Sequence, residues 1–156
     1  MSIKRDLAIG ATAEVTVMKI LEEFGFACGK NTEKGKFSYF DILAIINKEE
    51  VTLEVKFDIY ANKSGNIAIE TFNPKTGKPS GLGITKADLW VHITDQPYVT
   101  TVKRLKKFVE DTPPFRTIAC GGDDNATLLL FKADIILDEI FVPLSDKETW
   151  LKMLEE

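Results

Sequence analysis

The stretch from Tyr39 to Phe57 limits the possible folds more than any other part of the chain. Two β-prone runs, Tyr39 to Ile46 and Val51 to Phe57, are joined by Asn47-Lys48-Glu49-Glu50, which reads as a hairpin. With the loop over 47–50, Ile46 faces Val51, Leu43 faces Glu54 and Asp41 faces Lys56. Side chains alternate along a strand and opposed residues share a face. Ile42, Ala44, Ile46, Val51, Leu53 and Val55 therefore make one wholly apolar face. Asp41, Glu54 and Lys56 project from the other face near one end, with Tyr39, Leu43 and Ile45 beside them to cover it in part. A slip of one residue would exchange the two faces.

The rest of the chain alternates between elements without a repeat or linker, so residues 1–156 read as one domain. Leu7, Ala11, Met18 and Leu21 recur at helical spacing over 6–24, and Gly25 ends that helix. A strand is expected over 66–72, an exposed, mobile polar loop over 73–81, and a buried strand over 87–94. Thr101 to Asp111 reads as a helix stopped by Pro113-Pro114. Residues 115–142 suggest short strands around a turn at 121–125, and Ser145-Asp146-Lys147-Glu148 reads as a capping box opening a last helix. This pattern is α/β, a mixed central sheet flanked by helices.

Composition narrows the function. The chain is 44% apolar and has only two cysteines, which excludes a disordered chain and a disulfide scaffold. Cys28 and Cys120 read as reduced core thiols. No apolar run reaches the ~18 residues that span a bilayer, and the N-terminus lacks a hydrophobic signal core, so no membrane partner and a cytoplasmic location are expected. A single histidine, His92, leaves little for a His-rich metal site or most Ser-His-Asp schemes. The net charge of −4 argues against a nucleic-acid partner, but lysines cluster at 30–36, 75–86 and 103–107, and a globally acidic chain can carry a basic face.

Asp41 and Glu54 are diagonal neighbours in this hairpin, with Cβ atoms roughly 6–8 Å apart. Two carboxylates so placed can share one hard ion that keeps several waters, which suits Mg²⁺. Lys56 then reaches a metal-bound water or a phosphate oxygen, an arrangement fit for phosphodiester hydrolysis. The same residues could equally form a salt-bridge ladder on a solvated sheet face. Glu14 falls within the apolar stripe of the first helix, where a carboxylate needs a partner: a shared metal, a buried lysine, or a position at the exposed flank. Glu70 is a weaker candidate for the same cluster.

Asp41, a spacer of twelve and then Glu54-Val55-Lys56, behind a helix carrying Glu14, resembles the PD-(D/E)XK nuclease superfamily, the restriction-endonuclease-like fold. The runs Ser64-Gly65-Asn66-Ile67-Ala68-Ile69-Glu70, Ser80-Gly81-Leu82 and Thr85-Lys86-Ala87-Asp88-Leu89-Trp90 are similar to those of small phage-encoded nucleases of that superfamily. The resemblance covers residues 6–95. Phe40 stands where the motif has Pro. The resemblance implies a restriction-endonuclease-like core and a Mg²⁺-dependent endodeoxyribonuclease, with Mn²⁺ able to substitute. It implies Asp41, Glu54 and Glu14 as metal ligands and Lys56 as the catalytic amine. The substrate is then duplex or branched DNA, in host cytoplasm if the chain is phage-encoded. A homodimer fits, because cutting both strands with a small one-site domain usually needs two copies.

Within that reading Thr85 and Lys86 follow a Gly-rich loop, where the lysine could touch the scissile phosphate or be an ordinary exposed lysine. Lys103, Arg104 and Lys107 lie on one side of a helix, opposite Val102, Leu105 and Phe108. They could follow a DNA backbone, or belong to an ordinary amphipathic surface helix. Two alternatives stand beside the nuclease. One is a non-catalytic nucleic-acid-binding or assembly module with the same fold, and the other is a small enzyme using paired carboxylates on a non-nucleic substrate.

Overall fold

The hairpin seeds a central sheet. In the computed structural model, which describes residues 3–31, 39–58, 60–73, 76–121 and 126–156, the elements run as follows. Helix α1 (Ile3–Glu23) leads into strands β1 (Ala27–Lys30), β2 (Ile42–Ile46) and β3 (Glu49–Phe57). Helix α2 (Ala61–Ser64), β4 (Asn66–Asn73), β5 (Lys78–Pro79) and a 3-10 turn at Gly81–Gly83 follow. Next come β6 (Leu89–Ile93), β7 (Pro97–Thr101), α3 (Val102–Asp111), β8 (Arg116–Gly121) and β9 (Ala126–Lys132). The chain closes with α4 (Ala133–Ile140), β10 (Val142–Pro143) and α5 (Lys147–Leu154). The expected turn residues 122–125, Lys34, Lys36 and Lys75 lie outside the described residues, as do the side chains of Leu7, Ala11 and Cys120.

Six strands form the central sheet in the order β1-β2-β3-β6-β7-β10. It is mixed, with β3 and β6 parallel and the other neighbours antiparallel. A second sheet, β5-β4-β9-β8, is antiparallel and grows out of the β3–β6 crossover. The protein is therefore α/β, a mixed central sheet flanked by helices. Among the described residues no helix is long and apolar enough to cross a membrane.

Each face of the central sheet has its own core. On one side Ala13, Val17 and Leu21 of α1 and Trp150 and Met153 of α5 bury Ile42, Ala44, Ile46, Val51 and Leu53, the apolar hairpin face expected from alternation. Trp150 is fully buried, and its indole N–H donates to the Leu144 carbonyl at 2.9 Å, so the aromatic surface is gained without an orphaned donor. On the other side Trp90 joins Ile67, Ile69 and Phe131 of the second sheet and Val102, Leu105 and Phe108 of α3. This cover does not extend across β2, where Leu43 is half-buried and Ile45 is 42% exposed. Asp41, Glu54 and Lys56 are half-buried between the covered and open parts of that face.

Four local readings are corrected. The hairpin turn is two residues, not four: Asn47 (φ 53°) and Lys48 (φ 69°) adopt the left-handed region of a primed turn, and Glu49 and Glu50 continue β3. Lysine rarely takes that conformation, so the sequence gives no warning of it. The expected loop over 73–81 doubles back instead, Lys78–Pro79 pairing with Phe72 and Asn73. Residues 133–140, expected as strand, form α4, because Ala133, Ile136, Leu137 and Ile140 recur at helical spacing and turn one face into the second core, where Ile136 is buried. The expected capping box does not form: Asp146 is the N-cap of α5 and makes no side-chain capping bond. Thr101, by contrast, caps α3 by accepting from the Arg104 N–H at 3.1 Å.

Candidate active site

The shorter turn moves the hairpin register by two residues, to Ile46↔Glu49 and Ile42↔Leu53. An even shift keeps every side chain on its face. The regular ladder ends at the Ile42↔Leu53 pair, and the Asp41 N–H still donates to the Leu53 carbonyl at 2.9 Å, which leaves Asp41 at the hairpin end, near enough to Glu54 for its charge to act on that carboxyl. Asp41 Oδ2 accepts from the Val55 N–H at 2.8 Å, which fixes one carboxylate oxygen and leaves the other for a ligand.

Burial dominates the electrostatics of this group. Only 13% of the Glu54 side chain is exposed, and burial pushes its carboxyl up to about 7, with the Asp41 charge adding and Lys56 and Thr85 opposing. Lys56 Nζ sits 3.3 Å from Glu54 Oε1 and 5.8 Å from the centre of the Trp90 ring. Asp41 is raised by its own burial, against the Val55 hydrogen bond and Lys56. Glu14 is half-buried at the margin of the α1 stripe, raised by burial and then by Asp41, and lies 3.9 Å from Lys30 Nζ. Asp41 thus couples to both Glu54 and Glu14, and α1 brings Glu14 toward the end of the hairpin that carries Asp41, Glu54 and Lys56. Among the described residues no three acids, histidines or cysteines stand close enough to hold an ion as a preformed group.

A close backbone approach seats the next residues. A Cβ on Gly81 (φ 52°) would meet the Glu70 carbonyl oxygen at 2.4 Å, so only glycine allows this turn to lie against β4. Thr85, just beyond it, is buried; its hydroxyl donates to the Tyr39 carbonyl at 3.1 Å and accepts from the Ala87 N–H at 3.2 Å, and it stands close enough to Glu54 to act against the rise of that carboxyl. Lys86 is exposed, its Nζ 4.3 Å from the centre of the Tyr39 ring.

The basic helix lies elsewhere, after β7 on the far side of β6. Its apolar residues are buried as expected, and Lys103 and Lys107 are exposed. Arg104 is engaged: its guanidinium makes two hydrogen bonds to the Glu156 carboxylate, the one from Nε at 2.6 Å. None of these three cations forms an ion pair with Asp41 or Glu54.

Sequence reasoning missed a buried polar chain beside the acids. His92 Nε2 lies 3.0 Å from Asp58 Oδ2, and the Trp90 indole N–H donates to His92 Nδ1 at 3.1 Å. The chain depends on the parallel register Glu54↔Trp90 and Lys56↔His92, which no local pattern encodes. The run of polar residues at the end of β3 and a histidine within a buried strand were its only traces. Cys28 carries a free thiol, half-buried, with Sγ 3.6 Å from the Met18 carbonyl oxygen.

No family model, curated protein or solved structure matches the chain.

Proposed function

We propose that the protein is a metal-dependent DNA endonuclease built on a restriction-endonuclease-like core of the PD-(D/E)XK type. The observation that carries this reading is the junction of Asp41, Glu54 and Lys56 on one half-buried sheet face, with Glu54 driven up to about 7 by burial. A strongly perturbed carboxylate beside a lysine is more typical of a reactive site than of a surface ladder. Asp41 and Glu54 would hold Mg²⁺, or Mn²⁺ in its place, with Glu14 a further ligand. Two carboxylates near each other and partly open to water suit an ion that keeps most of its waters. Bound there, the ion would supply the charge that polarises a phosphate and acidifies a water. Lys56 assists the attacking water and offsets charge developing on the phosphate. Thr85 holds Glu54 in place. Lys86, and further away Lys103 and Lys107, are the cations available to DNA phosphates, and a homodimer would place two such sites on a duplex.

A second reading draws on a different observation. Glu54 already pairs with Lys56, and no three-ligand group is preformed among the described residues, as befits a non-catalytic nucleic-acid-binding module. Cleavage of supercoiled, linear, single-stranded and branched DNA in Mg²⁺, Mn²⁺ and EDTA separates the two. Asp41→Ala and Glu54→Ala should each abolish cleavage while DNA binding in Ca²⁺ persists. Full activity of either variant in Mg²⁺ would remove the site from consideration.

A further inference from the structure

Lys56 stands between two carboxylates. Alternate residues of a strand share a face, so Glu54, Lys56 and Asp58 project in one direction from the end of β3. Asp58 lies one residue past the strand, but its N–H donates to the Ile93 carbonyl at 2.9 Å and prolongs the ladder with β6. Same-face neighbours are roughly 7 Å apart, so a lysine can turn either way. The ammonium is found 3.3 Å from Glu54. Asp58 is occupied: its Oδ2 accepts from the Ala68 N–H at 3.1 Å and is met by His92 Nε2 at 3.0 Å.

The His92 ring has no freedom in this. It is 1% exposed, lies nearly parallel to Trp90 (12° between planes) and meets Phe141 edge-on with centroids 6.3 Å apart. Because Nδ1 accepts from the Trp90 indole, it carries no proton, so the ring proton is on Nε2 and is donated to Asp58.

We propose that His92, held in this tautomer by Trp90, is a positioning residue for Lys56: it satisfies Asp58 and so leaves the ammonium turned toward Glu54. This deepens the nuclease reading of the same site, and its effect on cleavage rests on that reading. Without the Nε2 proton, Asp58 becomes a half-buried charge short of a partner, and Lys56 is the cation two residues away on its own face. The lowered pKa of Asp58 agrees: burial acts to raise it, but the hydrogen bond from His92, with the backbone donors, more than offsets that.

His92→Met tests the proposal, since the thioether fills the space and still accepts weakly from Trp90 but cannot donate to Asp58. In a crystal structure of this variant Lys56 Nζ should be salt-bridged to Asp58 instead of Glu54. Single-turnover cleavage should fall about 100-fold, as for loss of the amine. Adding Asp58→Asn removes the competing charge and should return both Nζ and the rate close to wild type. A merely structural histidine would not be rescued by losing a second polar partner. His92→Gln, which keeps an N–H for Asp58 and an oxygen for Trp90, should behave as wild type, and His92→Phe provides the same deletion if the Met variant does not fold. Lys56 remaining on Glu54 in the donorless variant overturns the proposal. If the wild type cleaves no DNA, the nuclease reading fails, while the position of Lys56 in the variants still decides this one.

Discussion

Replacing Glu54 with Gln should stabilise the protein, and by an amount that depends on pH in a defined way. The carboxyl has an ordinary value of 4.5 and is pushed up to about 7 in the folded chain. A folded-state value above the unfolded one means that the native protein binds the extra proton. Below 4.5 both states are protonated and Glu54 costs nothing. Between 4.5 and 7 the unfolded chain ionises while the folded one does not, so stability falls as pH rises, by about 1.4 kcal/mol per pH unit. Above 7 the full penalty is present, on the order of 3 kcal/mol. With only 13% of the side chain exposed, solvent screens little of it. Gln keeps the shape and an oxygen for Lys56 and Thr85 but carries no charge. The attraction to Lys56 is already contained in the value of about 7, so it is not subtracted again.

The expected net gain is therefore about 3 kcal/mol at pH 8 and under about 0.5 kcal/mol at pH 4.5. For a chain of this length that corresponds to a melting temperature roughly 6–12 °C higher at pH 8 and nearly unchanged at pH 4.5. Thermal melts of both proteins in EDTA at the two pH values read this directly. Repeating them with Mg²⁺ adds an independent sign. The ion should stabilise the wild type by mass action, increasingly as pH rises toward 7 because it must displace the Glu54 proton, and should stabilise the Gln variant much less. A variant melting at or below wild type at pH 8 in EDTA, or a gain equal at both pH values, would refute the reasoning. The pair with Lys56 would then be a plain stabilising salt bridge.

Two further expectations concern cations. Lys56→Ala should lower the single-turnover rate of DNA cleavage by about 100-fold with little change in Mg²⁺ affinity, and an unchanged rate would make Lys56 structural. Replacing Lys103, Arg104 and Lys107 together with Ala should flatten the salt dependence of DNA binding by roughly 2 units of slope. Three are not expected, because Arg104 is held by Glu156; a slope equal to wild type would leave α3 as an ordinary surface helix.

The part of the site that was legible in the sequence depends on parity. The expected loop is two residues longer than the observed turn, because Lys48 enters the left-handed region without a glycine to announce it. An even error leaves every hairpin residue on its correct face, so Ile42, Ala44 and Leu53 are buried and Asp41, Glu54 and Lys56 share the other side. What differs is position along the face: the ladder ends at Ile42↔Leu53, and Asp41, one residue beyond, stays bonded to the Leu53 carbonyl instead of lying opposite Lys56. Where local pattern competes with tertiary packing, the pattern lost. The Ile-rich run at 133–140 has the composition of a strand, but with Ile136 buried in the second core it forms a helix.

Asp58, His92 and Trp90 were illegible for a different reason. Alternation within β3 places Asp58 on the face of Lys56, and alternation within β6 places Trp90 and His92 together, but neither pattern says that the two strands lie side by side. That adjacency follows from a crossover through α2, β4, β5 and the glycine turn, and its parallel register sets His92 against Lys56. Lys56 has a carboxylate on either side of it in the sequence, so its own strand cannot decide which one it meets. The decision comes from a histidine 36 residues later, whose proton is placed by the neighbouring indole. Reversing it requires no change to Asp41, Glu54 or Lys56, only the removal of one N–H donor from Asp58.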